Sequence, residues 1–276
     1  MRRIAIFSDI HANLPALDAV LGDIDRAGVT ERYCLGDLVG YGPFPAETID
    51  RVRGLGIPVV QGNYDEGIGS RRGDCGCYYP TAQAREDGAA SYAFTSERVD
   101  DARAAYLLGL LPHVRLEHEG ARIMLAHGSP RRVNEYLLLD RTDEQLARLA
   151  AGAAADIVCV GHVHVAYHRA MPAAESADRH AVYPPAEDFG TAHYVSSGSV
   201  GKPKDGDWRA GWVELVLGEQ AEVTAASGDH EAARVGFGPV WLGARCHRVA
   251  YDIDATVAAM RAAGLPETLV SALRQS

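Results

Sequence analysis

The chain has 276 residues, 47% hydrophobic and 23% charged, which is ample for a sizeable core and ordinary for a globular protein. That composition disfavours disorder, collagen and coiled coil. A formal net charge of −10 argues against a broad basic face for duplex nucleic acid, although a small local patch stays open.

The apolar run over 4–7 ends in Ser8-Asp9 and predicts a buried parallel strand. Arg2 and Arg3 before it resemble the start of a signal peptide, but the polar residues interrupt the run too early for one. No stretch approaches the length of a membrane span, so the expectation is a cytoplasmic protein with no membrane partner. Asn13 as N-cap, Pro15 in the first turn, and Leu14, Leu17, Leu21 and Ile24 at helical spacing predict a helix that Gly28 closes. A strand over 32–35, a helix over 46–53 and a strand over 57–60 continue the alternation. Such alternation builds a parallel sheet with right-handed crossovers.

Residues 67–80 read as a glycine-rich loop, followed by helices over 82–94 and 96–111. Strands over 114–117 and 122–126 flank Glu119-Gly120 as a hairpin. A helix over 142–154 and a buried strand over 156–160 follow. Residues 172–190, rich in Pro, Ala and charge, read as a surface insertion. Strands over 194–197, 211–217 and 222–225 suggest a second, mainly antiparallel sheet, with a late strand over 248–252. Helices over 255–263 and 267–274 form a C-terminal tail, amphipathic enough to pack on the body or on a second subunit. With no repeat and no convincing linker, residues 1–276 read as one domain with two sheets.

Polar residues recur where the apolar strands end. Asp9 and His11 follow the first, Asp37 the second, Asn63 the third; His127 follows 123–126, and His162 and His164 follow 157–160. In open α/β sheets ligands bind in the crevice beyond the carboxyl ends of strands. Two carboxylates, four imidazoles and one amide oxygen can therefore converge there. Such a set suits borderline divalent ions such as zinc, manganese, iron or nickel, and the lack of thiolate argues against a structural zinc cage. Seven ligands exceed the needs of one tetrahedral ion, and two ions sharing a bridging carboxylate would use them all. The neighbouring Gly36, Gly62, Gly128 and Gly161 are expected to allow sharp turns at the strand ends.

The ordered series Asp9-Ile10-His11, Gly36-Asp37-Leu38-Val39-Gly40-Tyr41-Gly42-Pro43, Gly62-Asn63-Tyr64-Asp65, Ala126-His127-Gly128 and Gly161-His162-Val163-His164 resembles the calcineurin-like metallophosphoesterase family. Ser197-Gly198-Ser199-Val200-Gly201 resembles a further glycine-rich motif often found after these. The resemblance implies an α/β fold of four layers, two mixed sheets face to face with helices outside. It also implies that Asp9, His11 and His164 hold one divalent metal ion, that Asn63, His127 and His162 hold a second, and that Asp37 bridges them. Two such ions clamp a phosphoryl group and acidify a water whose hydroxide attacks phosphorus in line. Their positive charge would attract an anionic phosphate locally although the whole chain is acidic.

One position departs from the pattern. Many members of the family have histidine after the metal-binding asparagine, where it protonates the leaving group; here the residue is Tyr64. A phenol with a reference pKa of about 10 donates a hydrogen bond but is a poor acid-base catalyst at neutral pH. Tyr64 is thus either a site residue or a packed loop aromatic, and Asp65 either hydrogen-bonds it or braces the loop. The departure favours a phosphodiesterase acting on a small phosphorylated or nucleotide-like substrate with a good leaving group. A protein serine/threonine phosphatase is the second reading, and a metal-stabilised scaffold with little turnover the third.

Other residues read more plainly. Cys75 and Cys77 supply at most half a zinc site and are expected as unmodified thiols, while Cys34 and Cys159 are expected as small core residues. Arg131, Arg132, Lys202 and Lys204 read either as phosphate contacts or as solvated basic pairs. His193, just before a strand near the insertion, is the remaining histidine closest to suspicion.

Overall fold

The computed structural model describes residues 1–172, 190–227 and 232–275. Its strands are β1 (Arg2–Phe7), β2 (Glu31–Cys34), β3 (Val114–His118), β4 (Ala121–Leu125), β5 (Ile157–Val160), β6 (Ala166–Pro172), β7 (Thr191–Ser197), β8 (Ala210–Gly218), β9 (Ala233–Arg234) and β10 (Trp241–Val249). Its helices are α1 (Leu14–Ala27), α2 (Pro45–Leu55), α3 (Asn63–Gly69), α4 (Ala82–Arg98), α5 (Asp101–Leu108), α6 (Asp143–Gly152), α7 (Gln220–Ser227), α8 (Ile253–Ala262) and α9 (Glu267–Ala272).

The strands form two five-stranded sheets, ordered β2-β1-β8-β10-β9 and β3-β4-β5-β7-β6. Each is mixed: β1 runs parallel to β2 but antiparallel to β8, and β5 runs parallel to β4 and β7 while β6 is antiparallel. Side chains alternate across each strand. Ile4 and Ile6 of β1 meet Ile157 and Cys159 of β5 between the sheets, while Ala5 and Phe7 face Leu17, Val20 and Ile24 of α1. On the far side, Val158 and Val160 pack against Leu146 and Ala150 of α6. The result is the expected four-layer α/β sandwich. Strands buried on both faces explain why β1 and β5 read as unbroken apolar runs.

Several expected elements differ. Residues 57–60 make only isolated bridges, Val59 to Cys34 and Val60 to Leu111, rather than a full strand. The glycine-rich stretch begins with α3, a helix hidden by Gly67 and Gly69, which fit tightly against Asp74 and Leu108. The break between α4 and α5 falls at Val99-Asp100, where Asp100 caps the second helix. Residues 222–225 lie in α7, whose buried Val223 and Ser227 have helical spacing. The antiparallel second sheet is not formed as expected, because β8 joins β1 and β7 joins β5. The late strand runs over 241–249, with Gly243 and Arg245 masking its pattern, and Asp252 is the N-cap of α8. Of the expected insertion, 173–189 lie outside the described residues. No helix among the described residues is long and apolar enough to cross a membrane.

Candidate metal centre

All seven candidate ligands lie at one end of the two sheets, and none is more than 3% exposed. Asp9 and His11 leave β1, Asp37 follows β2, Asn63 opens α3, His127 follows β4, and His162 and His164 follow β5. Asp9, His11 and His164 bring ligand atoms within reach of one ion, and Asp37, His127 and His162 do the same for a second. Asn63 joins the latter group, its Oδ1 lying 3.1 Å from His127 Nε2.

The backbone is strained where it aims these side chains. Asp9, His11, Asp37, His162 and His164 have φ of 53°, 49°, 52°, 67° and 61°, the left-handed region that L side chains avoid. Each costs about 1–3 kcal/mol, so the surrounding bonds must over-determine the geometry. The loops after β1 and β2 are zipped by Asp9 N–H to Gly36 O (2.9 Å) and His11 N–H to Asp37 O (3.0 Å). The glycine-rich motif supports them, with Gly201 N–H and the Ser199 hydroxyl both donating to Asp9 O at 2.9 and 2.8 Å. Of the glycines expected to turn at strand ends, only Gly36 has positive φ. Gly62 instead permits close approach, since a Cβ there would lie 2.2 Å from Asp37 Oδ1.

Hydrogen bonding fixes which ring nitrogens face the centre. The Nδ1–H groups of His11, His127 and His164 donate to the carbonyls of Val39, Leu35 and Lys202 at 2.9, 2.7 and 2.5 Å. Carbonyls only accept, so Nδ1 carries a proton in each ring and Nε2 is turned to the centre; in His11 and His164, which burial keeps neutral, it is a lone pair. His11 Nε2 then lies 3.1 Å from His164 Nε2, which lies 3.2 Å from Asp9 Oδ1. His127 Nε2 lies 3.5 Å from Asp37 Oδ2, and His162 Nε2 is buried without a partner among the described residues. The Asn63 amide N–H donates to Cys75 O at 3.0 Å, which turns its oxygen inward. Acceptors converging on acceptors repel unless cations sit among them. The donor set therefore fits two divalent ions, and nitrogen and oxygen ligands of this kind suit borderline metals.

Asp65 braces the loops. Its carboxylate accepts from the N–H groups of Asp37, Gly62 and Leu38 at 2.8, 2.9 and 2.9 Å. Burial and the neighbouring Asp37 charge push it up to about 7, against the pull of these donors. Tyr64 is a packed aromatic, 1% exposed, its ring 5.5 Å from that of His11 and 5.1 Å from that of Tyr41. Its hydroxyl is buried without hydrogen-bond geometry to any described residue, and burial, with Tyr41 and Tyr79 nearby, raises its pKa well above the ordinary phenol value.

Some expectations are corrected. Cys75 and Cys77 are not free thiols but are joined in a disulfide, with Gly76 at φ 63° turning the chain back between them. Cys34 and Cys159 are core residues as expected. Arg131 is an exposed residue paired with Glu135 at 2.5 Å. His193 is structural, bonded to His168 at 3.0 Å and to Arg234 O at 2.8 Å. Lys202 is not a solvated surface cation: burial, then repulsion by Lys204, push its ammonium down to about 7. The sequence reading missed Ser8, whose hydroxyl binds Asp9, and Tyr136, whose ring lies 4.0 Å from that of His162. Ser8 is adjacent to a ligand and so had a signal; Tyr136 lies in an irregular loop and had none.

The calcineurin-like phosphoesterase superfamily domain matches residues 1–217. An uncharacterized protein of Methanocaldococcus jannaschii is 31% identical over 206 residues, covering 74% of this chain and 78% of its own. The crystal structure of a metallophosphoesterase from Sphaerobacter thermophilus is similar with a TM-score of 0.68, 30% identity and 99% of both chains covered. A hypothetical protein from Pyrococcus horikoshii shares the fold with a TM-score of 0.70 and 19% identity over 99% of this chain and 98% of its own. The chain belongs to the calcineurin-like phosphoesterase superfamily.

Proposed function

We propose that this chain is a dinuclear-metal phosphodiesterase acting on a small phosphorylated or nucleotide-like substrate. The observation that carries this reading is the convergence of imidazole Nε2 atoms with carboxylate and amide oxygens at two adjacent positions, the rings of His11, His127 and His164 being oriented from behind by backbone carbonyls. When bound, two divalent ions supply charge to a phosphoryl group and acidify water. The residues of the chain do the rest. Asp9, His11 and His164 hold one position; Asn63, His127 and His162 hold the other; Asp37 faces both. Asp65, Ser8 and Ser199 keep the ligand loops in place.

The Tyr64 phenol, buried and with its pKa raised by that burial, is a poor proton donor at neutral pH, which favours diesters with acidic leaving groups over phosphoserine or phosphothreonine. Metal-supplemented turnover of bis(4-nitrophenyl) phosphate tests the reading against a phosphothreonine peptide. The diester should be cleaved and the peptide should not; the reverse order would replace the phosphodiesterase by a protein phosphatase. Turnover of neither would leave a metal-bearing scaffold.

Tyr64→Phe should keep most of the diester turnover, and its Tm should not fall. A buried hydroxyl without a partner costs about 1–3 kcal/mol, so removing it is not destabilising. Loss of turnover on even the best leaving group, at unchanged metal content, would give the phenol a direct role. Tyr64→His should not by itself favour poor leaving groups, because Asp65 is committed to three backbone N–H groups and cannot orient the new ring.

A further inference from the structure

Of the 27 lysine and arginine residues in the chain, only Lys202 and Lys204 are lysines. They flank Pro203 in the loop that follows the glycine-rich motif. Lysine carries a compact charge on a flexible stem, suited to meeting an anion as a point charge, whereas arginine favours fixed bidentate pairs. The arginines of this neighbourhood are engaged: Arg209 forks onto Asp207, at 2.6 Å from its Nη2, and Arg248 bonds one oxygen of Asp205. Those pairs also occupy the two carboxylates closest in sequence to the lysines. Neither lysine ammonium has an ion pair or hydrogen bond among the described residues.

The two side chains face different places. The Lys202 ammonium lies over the Tyr41 ring, 4.3 Å from its centroid, and Tyr41 in turn meets the His11 ring edge-on at 4.9 Å. The Lys204 N–H donates to His164 O at 3.0 Å, and the Lys202 carbonyl accepts from His164 Nδ1–H at 2.5 Å, so the loop that carries both lysines is bonded to a ligand residue. The exposed Lys204 thus stands in the loop beside the metal centre, while Lys202 stands one ring away from His11 on its Tyr41 side. A cleft of about 340 Å³ runs beside them, lined by Lys202, Pro203, Lys204, Gly206, Ala272 and Gln275. Two lysines held together without a counter-ion among the described residues are stabilised in their charged forms by an anion that joins them.

We propose that Lys202 and Lys204 form an anion subsite beside the metal centre, which takes a second phosphate or carboxylate group of the organic phosphate being cleaved. This rests on the phosphodiesterase reading and sharpens it: the preferred substrate carries a negative charge beyond the scissile diester. Lys204 meets the reacting end, and Lys202 meets the additional group in the cleft. The C-terminal residues Ala272 and Gln275 give the tail a place in the wall of that subsite.

Two diesters with the same leaving group test this: 4-nitrophenyl thymidine 5′-phosphate, and the same compound bearing a 3′-phosphate. Wild type should prefer the 3′-phosphorylated form. In Lys202→Met/Lys204→Met, the ratio of the two kcat/KM values should fall by about 10–100-fold, the loss expected for a hydrogen bond to a charged group. The substitution leaves the main-chain carbonyl of Lys202 on His164, so metal content should not change. An unchanged ratio would overturn the subsite. A second readout needs no turnover. Acetylation followed by mass spectrometry reports on these two lysines and the N-terminus alone, and thymidine 3′,5′-bisphosphate should protect both lysines in the metal-loaded wild type. Protection of neither would overturn the proposal. If wild type cleaved neither diester, the phosphodiesterase reading would fall, and protection would still decide the subsite.

Discussion

Asp37→Asn should lower kcat/KM for an activated diester by more than about 10²-fold, and by more than Asp9→Asn does. Losing even a group that only supports a ligand typically costs about 10–100-fold in metal affinity or activity, and in the proposed centre Asp37 would itself be a ligand shared by both positions. Its Oδ2 lies 3.5 Å from His127 Nε2 and 3.8 Å from His11 Nε2, so one oxygen addresses both clusters. Its Oδ1 is held by the Tyr64 N–H at 2.8 Å, which fixes the carboxylate's rotation. An amide that kept this bond would turn its NH₂ towards two imidazole lone pairs and remove the shared negative charge. Asp9 lies 3.2 and 3.9 Å from His164 and His11, both of the first cluster. Its loss should empty mainly one position. The measurements are kcat/KM and metal per chain for both variants. Equal, mild losses would contradict a bridging role for Asp37.

Most of this centre is legible in the sequence because its ligands follow short apolar strands. A strand buried on both faces reads as an unbroken run, and the first polar residues after β1 and β5 mark the sheet's edge. The sequence does not show the strain. Nothing in Asp9, His11 or His162 announces a left-handed φ, because the bonds that hold it, to Gly36, Asp37 and Gly201 for the first two and to the Asp9 carboxylate for His162, come from far along the chain. For Asp65 the sequence leaves two alternatives, a bond to Tyr64 or a brace for the loop, and only the backbone N–H groups of Asp37, Leu38 and Gly62 that it accepts from decide for the brace. Sheet membership failed where it depended on distant pairing. Both β7 and β8 are recognisable as strands, but only the pairing of β8 with β1 and of β7 with β5 assigns them to different sheets. In α7 the helical spacing rests on Val223 and Ser227, and a buried serine gives no apolar signal, so the segment does not announce a helix.

Chelation should abolish turnover and lower the Tm by roughly 10 °C. Ions held at about 1,000 times their dissociation constant contribute about 4 kcal/mol of stability, and each kcal/mol moves the Tm of a chain near this size by about 2–4 °C. The two positions should also part with their ions at different pH. Burial opposes charging of His127, but the Asp37 carboxylate and its hydrogen bond prevail, and in the metal-free chain the imidazole is pushed up to about 9. Below that pH an ion entering among Asp37, Asn63, His127 and His162 must displace a proton, so its affinity falls about tenfold per pH unit as the medium is acidified. The first position meets no such competition near neutrality. Burial pushes His164 down to about 3, and His11 is lowered by burial too, so both rings already present lone pairs. Dialysis of loaded protein at pH 8 and at pH 6 should therefore cost the second position about 100-fold in affinity while the first retains its ion. Metal content gives the number of ions retained, and anomalous scattering shows which position holds them. Simultaneous loss of both ions, or earlier loss from Asp9, His11 and His164, would overturn this order. An unchanged Tm after complete chelation would remove the ions from the stability of the fold altogether.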